Sequence, residues 1–153
     1  MIIKVPKDKI EFLKASLVAD KIEKTVVGAI IVSQDWKVLL LRRIADDFMG
    51  GLVEIPSGGV DAGEDLLEAL SREVKEETGL DISRVISYTG SFDYISGSGK
   101  KSRQLNFLVC AEGDIKLNPM EHDFYYILTP DDEAFNKLNI SPETKSIIRQ
   151  SLP

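Results

Sequence analysis

Residues 58–80, GGVDAGEDLLEALSREVKEETGL, narrow the choice of fold more than any other part of this chain. Gly58, Gly59 and Gly63 crowd a turn whose backbone needs freedom that side chains would deny it. A helix follows over about residues 65–78, and Gly79 marks its end as the usual residue for a left-handed stop. At roughly 100° per residue, with Glu73 set at zero, Glu77 falls at about +40° and Glu76 at about −60°. These three carboxylates therefore share one side of the helix. Leu66, Leu67, Leu70 and Val74 lie between about +20° and about +120°, so the core-facing stripe overlaps the direction in which Glu73 and Glu77 project. None of the three acids is expected on the fully solvated face, which is assigned to Glu68, Ser71 and Lys75.

Like charges at this spacing oppose a helix by roughly 0.2–0.5 kcal/mol per pair, and burial raises the cost. On its own, EVKEE reads as an ordinary solvated charged face. The glycine turn changes that reading, because it brings backbone up to the acidic end of the helix, as a site for metal or phosphate requires. A divalent cation compensates the carboxylates directly and also takes the oxygens of a diphosphate. Arg72 offsets part of the charge through Glu68 or Glu76, each four residues away, but one guanidinium cannot neutralise the cluster.

The rest of the chain limits which cation fits. A single cysteine, Cys110, excludes an internal disulfide, and with a single histidine, His122, no typical zinc site of cysteine and histidine can be assembled. Oxygen ligands remain, which suit Mg2+, with Mn2+ as a substitute. A formal charge of −6 disfavours nonspecific binding to a nucleic acid polymer or an anionic membrane, so a small anionic substrate needs local cations. At 153 residues and 43% apolar content the chain fits one compact domain. No apolar run approaches the roughly 18 residues of a membrane span, and the opening MIIKVPKDKIEF lacks the pattern of a signal peptide, so a cytoplasmic location is expected.

No internal repeat or low-complexity tract stands out. Residues 7–19 place Ile10, Phe12, Leu13 and Leu17 at roughly helical spacing. TVVGAIIV at 25–32 and KVLLL at 37–41 are β-rich runs separated by a turn-like SQD, and two neighbouring strands are expected there. Further strands are expected over 85–94, 104–111 and 124–128. Ser141 and Pro142 read as the N-cap and first turn of a final helix whose Ile147, Ile148 and Leu152 face the core. The pattern predicts an α/β (α+β) domain with a mixed β-sheet packed between helices. Residues 1–24 read as an N-terminal extension to a domain of residues 25–153; they could cover a sheet edge or a partner, which leaves a homodimer open.

Gly58, five residues, Glu64, seven residues, then Arg72, Glu73, Val74, Lys75, Glu76, Glu77, Thr78, Gly79 and Leu80 reproduce the complete Nudix box, nine constrained positions over 23 residues. The chain thus resembles the Nudix hydrolases, and the likeness runs more loosely from about Val26 to Glu133, through LLLRR, the segment GLVEIP and the acidic-to-aromatic stretch EHDFYYI. It departs at Ser57, where family members commonly carry glycine, and at Val53, where tryptophan is frequent. The resemblance implies the α/β/α Nudix sandwich and metal-assisted attack of water on a diphosphate linkage. By the same resemblance Glu73, Glu76 and Glu77 look like metal ligands, with the Ser57 carbonyl an addition, and Arg72 and Glu64 look like orienting residues. Glu77 and Glu121 are both candidates for the general base, although a metal-bound carboxylate is a poorer base than a free one. Glu121 otherwise reads as a solvated loop acid, and His122 as a surface or loop histidine.

Substrate contacts lie outside the box. Arg42, Arg43, Arg103, Lys100 and Lys101 are available to phosphate, and Phe48, Tyr94, Phe124 and Tyr125 to stacking on a base. If Ser102 opens a strand, Gln104 and Asn106 alternate onto its face and can read base edges. The leading expectation is hydrolysis of a nucleoside triphosphate, canonical or not, to monophosphate and pyrophosphate. ADP-ribose or a nucleotide sugar is the alternative, although the proline that marks many ADP-ribose members is replaced by Ser96. A noncatalytic nucleotide-sensing module is the reading from another class.

Overall fold

Alternation along the strands sends successive side chains into two separate cores. In the computed structural model, which describes residues 1–153, Val27, Ala29 and Ile31 join one apolar cluster while Ile30 and Val32 join the other. These residues belong to β2 (Lys24–Ile31) and its immediate continuation. The same alternation divides β7 (Lys101–Glu112), with Leu105, Phe107 and Val109 on one side and Leu108 on the other. Helices α1 (Lys7–Ala19) and α2 (Leu66–Thr78) close the first cluster through Ile10, Leu13, Leu66, Leu70 and Val74. Helices α3 (Glu133–Lys137) and α4 (Pro142–Ser151) close the second through Phe135, Ile147 and Ile148. The result is an α/β/α sandwich, as expected.

The remaining strands are β1 (Ile2–Ile3), β3 (Val38–Arg43), β4 (Val53–Glu54), β5 (Ser57–Gly59), β6 (Asp81–Ile95) and β8 (His122–Leu128). A five-stranded mixed sheet has the order β1-β6-β7-β2-β5, with β7 parallel to β2 and antiparallel to β6. A three-stranded antiparallel sheet has the order β4-β3-β8. The expectation that β2 and β3 lie side by side holds only at their shared turn, where Val32 bridges Val38. A strand has two edges, and those of β2 are taken by β7 and β5 while those of β3 are taken by β8 and β4. The two strands therefore part into different sheets.

The first residues belong to the same body. β1 runs parallel to β6, and Val5, Ile10 and Leu13 enter the first core cluster, each such side chain contributing roughly 1.5–3 kcal/mol on burial. No helix is long and apolar enough to cross a membrane.

Helix α2 is tightly delimited. Asp65 caps it by accepting from the backbone N–H groups of Leu67 (3.1 Å) and Glu68 (3.4 Å), and Gly79 ends it at φ 76°. Near the end of the chain, the Ser141 hydroxyl accepts from the Thr144 N–H (3.1 Å) at the start of α4.

Candidate active site

The helical angles of α2 rank the burial of its three acids. Glu77, closest to the apolar stripe, is 5% exposed. The Glu73 side chain is 14% exposed and that of Glu76 54%. Glu76 thus corrects the expectation that all three avoid the solvated face: its direction is the one that departs furthest from the stripe, so more than half of its side chain stays exposed.

Burial pushes the Glu77 carboxyl up to about 9. A 2.7 Å hydrogen bond from the Ser57 backbone N–H opposes that rise, and the nearby charges of Glu54, Glu121 and Glu73 add to it. A buried acid facing three others, with one N–H as its hydrogen-bond partner, is a group that a cation would restore to its charged form. Ser57 therefore meets the site through its N–H in this arrangement.

Arg72 organises the remaining acids. Its Nε and Nη2 donate to the two oxygens of Glu64 (2.8 and 2.9 Å), its Nη1 to Glu73 (2.7 Å) and Glu76 (3.3 Å), and its Nη2 also to the Gly59 carbonyl (2.9 Å). The fork geometry of a guanidinium is what permits this. Of the two partners expected for Arg72, Glu76 is engaged and Glu68 is not; the turn folds back so that Glu64, eight residues away, takes the bidentate contact instead. Arg72 holds the Glu64 carboxyl down to about 2, whereas partial burial raises that of Glu73.

Gly58 is required for a steric reason. A Cβ there would overlap the Glu73 carboxylate, which Arg72 pins in place. Gly58→Ala is expected to displace Glu73 and weaken cation binding by about 10–100-fold, the range for loss of a group that orients a ligand. Calorimetric titration with Mg2+ checks this, and unchanged affinity would mean that Glu73 is not held where the cation binds.

Two residues outside the box complete the acidic site. Glu121 is exposed and accepts from Asn118 Nδ2 (3.2 Å), yet Glu77, Glu121 and His122 each offer a ligand atom within 4.8 Å of the others. His122 is 2% exposed, not a surface histidine. The reason is its place at the start of β8: Glu54 accepts from its Nε2–H (3.0 Å) and also from Arg43 Nε (3.0 Å), while its Nδ1 is sealed without a partner. Glu54 escaped the sequence reading. Its signal in the sequence is a carboxylate between two apolar residues, Val53 and Ile55, which the fold buries.

A cavity of about 450 Å³ opens beside this cluster, lined by Arg43, Glu54, Ser57, Gly58, Tyr94 and Gln104 among others, with Phe92 as a further aromatic wall. Asn106 is completely buried, and its Nδ2 donates to the carbonyls of Gly90 (3.2 Å) and Gln104 (3.4 Å). Its Oδ1 must then face Gln104 Nε2 (2.8 Å), which leaves Gln104 Oε1 without a protein donor. Asn106 therefore supports Gln104 rather than meeting the cavity itself. Gly28 makes room for the pair, since a Cβ there would lie 2.5 Å from Asn106 Oδ1 and 2.6 Å from Gln104 Nε2. Phe48 is 88% exposed and does not line this cavity. Arg103 pairs with Asp93 and Asp20, and Arg42 with Asp123, so neither presents a free charge.

Comparison with known proteins agrees with this geometry. The family model described as NUDIX domain matches residues 23–150. A nucleoside triphosphatase, NudI, of Escherichia coli O81 (strain ED1a) is 30% identical over 131 residues, covering 78% of this chain and 91% of that protein. An RNA pyrophosphohydrolase of Ruthia magnifica subsp. Calyptogena magnifica is 36% identical over 81 residues, covering 53% of this chain and 37% of its own length. Several curated relatives are matched over only such a fraction, between 24% and 37% of their length. Among solved structures, the MutT protein from Methanosarcina mazei Go1 superposes with a TM-score of 0.72 at 25% identity, covering 83% of this chain and 91% of that one.

Proposed function

Because this chain belongs to the Nudix hydrolase family, we propose that it hydrolyses a nucleoside triphosphate to the monophosphate and pyrophosphate. The observation that carries the chemical part is Glu77, a buried carboxyl at about 9 against the Ser57 N–H and surrounded by Glu54, Glu73 and Glu121. That environment favours occupation by a cation.

The family works with a divalent metal, and the donor set here fits a hard one. Glu73, Glu76 and Glu77 would hold it with oxygen, Mg2+ being the ion of choice and Mn2+ a substitute. When bound, the cation neutralises diphosphate oxygens and acidifies water. Arg72 keeps Glu73 and Glu76 oriented and Glu64 keeps Arg72 oriented, through the hydrogen bonds described above. Glu121 is the better placed base, because it is exposed and held only by Asn118, whereas Glu77 is buried as a ligand. Water adds to one phosphorus of the α–β anhydride, the bridging bond breaks with its electron pair on the leaving phosphate oxygen, and the proton from water passes to Glu121.

The substrate assignment is supported by the named activity of a relative matched over 78% of this chain and by the cavity beside the acids. Tyr94 and Phe92 offer aromatic surface for a base, Gln104 Oε1 offers an acceptor, and Arg43 lies at the same rim. A screen with Mg2+ that separates the nucleotide products by chromatography and measures pyrophosphate alongside tests the proposal across canonical and oxidised nucleoside triphosphates, ADP-ribose, nucleotide sugars, dinucleoside polyphosphates and 5′-triphosphorylated RNA. Preferred release of pyrophosphate from free triphosphates is expected. Exclusive turnover of ADP-ribose, a nucleotide sugar or RNA would overturn the substrate, and binding without any turnover would favour the sensing module.

A further inference from the structure

A second cavity, of about 710 Å³, adjoins the first and contains no aromatic residue. It lies between the end of α1, the box turn and the β6–β7 hairpin, with Leu17, Val60, Asp61, Lys24 and Lys100 in its wall. Lys24 and Gly59 line both cavities. The Lys24 side chain runs over the box turn, its Cε 3.9 Å from where a Cβ on Gly59 would stand.

The other cations near this junction are engaged. Arg43 pairs with Glu54 and Asp47, Arg72 with Glu64, Glu73 and Glu76, and Arg103 with Asp93 and Asp20. Of the acids in the second cavity, Glu64 and Asp61 face Arg72 (2.8 and 3.7 Å), and Glu23 accepts from the Lys101 N–H (2.9 Å). The ammonium groups of Lys24 and Lys100 make no ion pair. Beside an acidic centre in a chain of net charge −6, two free ammonium groups next to the box are the local attraction that an anionic substrate needs.

We infer that Lys24, with Lys100, binds the phosphates lying beyond the scissile anhydride, and that the second cavity holds this tail of a mononucleoside polyphosphate. This rests on the triphosphate reading given above and assigns the two ends of the substrate. The base takes the cavity with Phe92 and Tyr94, and the chain of phosphates passes Gly58 and Gly59 to reach Lys24. A dinucleotide is disfavoured because its second base would find no aromatic surface on the far side. A compact ammonium suits a phosphate whose oxygens can rotate, since it imposes no fixed fork.

The test is the ratio of kcat/KM for a nucleoside triphosphate over the matching nucleoside diphosphate, together with competitive inhibition by inorganic tripolyphosphate. Lys24→Met is expected to lower the ratio about tenfold, mainly through the KM of the triphosphate, and to raise the tripolyphosphate inhibition constant by a similar factor, as for loss of one charge-assisted contact. Lys24→Met with Lys100→Met should reach about a hundredfold, and Lys24→Arg should retain most of the wild-type ratio. If wild type hydrolyses triphosphates and the double variant keeps both the ratio and the inhibition constant, the tail site is wrong and the triphosphate reading stands. The tail site is equally wrong if Lys24→Arg fails as badly as Lys24→Met, because charge would not then be the cause. If wild type turns over no triphosphate, both fall together.

Discussion

Glu77→Gln is expected to lower Mg2+-dependent turnover about a thousandfold, roughly 4 kcal/mol of barrier, and at the same time to stabilise the metal-free protein at alkaline pH. The two effects have one cause. The folded protein holds the Glu77 carboxyl at about 9, above its ordinary value of 4.5, because burial disfavours the charged form. A group raised in this way contributes stability that is complete below the ordinary value and is lost as pH rises through about 9. Between those limits the metal-free wild type should lose up to about 1.4 kcal/mol per pH unit from this residue. Glutamine carries no such charge, so the variant should show a much flatter pH dependence over the same window.

The same proton links metal affinity to pH. A cation must displace it, so affinity should rise by up to about tenfold per pH unit as pH approaches about 9, with a proton released on binding. Thermal denaturation of both metal-free proteins from about pH 5 to about pH 9, and titration calorimetry in buffers of different ionisation enthalpy, measure these effects. Unchanged hydrolysis in the variant would remove Glu77 from the metal site. A wild-type midpoint as flat in pH as that of the variant would mean that the buried carboxyl is already ionised. A sensing module would bind nucleotide without wild-type turnover, whatever stands at position 77.

Arg72→Ala should cost about 2–3 kcal/mol of stability in the absence of metal, because Glu64 and Glu73 are left partly buried beside one another without their shared cation. For a domain of this size that corresponds to a fall of about 5–10 °C in Tm. Lysine should restore little of it, since a single ammonium cannot bind both Glu64 oxygens, Glu73, Glu76 and the Gly59 carbonyl at once. Saturating Mg2+ should narrow the gap between variant and wild type, because a bound cation supplies part of the missing charge to Glu73 and Glu76. Scanning calorimetry with and without Mg2+ separates the outcomes. An equal loss in both conditions would assign Arg72 to the scaffold of the turn alone.

Most of what was legible in the sequence is governed by neighbours a few residues apart. The helix over 65–78 and its glycine stop, the Ser141 cap and the alternating strands all follow from backbone preference and side-chain period, which act within a turn or a pleat. The ranking of Glu77 over Glu73 over Glu76 in burial was implicit in the same helical angles. What lay beyond reach depended on segments far apart in the chain. His122 reads as a loop residue until β8 pairs with β3 and brings it against Glu54, 68 positions earlier. Gln104 and Asn106 stand on one strand face, as their spacing predicts, but only Gly28 on the adjoining β2 lets them stack so that one lines the cavity and the other is sealed behind it.

The glycine turn and its acidic helix were therefore determined by the sequence alone, as was the kind of chemistry they serve. The charge state of Glu77, the partners of Arg72 and the aromatic and cationic ends of the cleft were decided by tertiary structure. Local pattern places a side chain on a face. Desolvation, long-range pairing and the shape of a cavity exist only once distant strands and loops have closed around it.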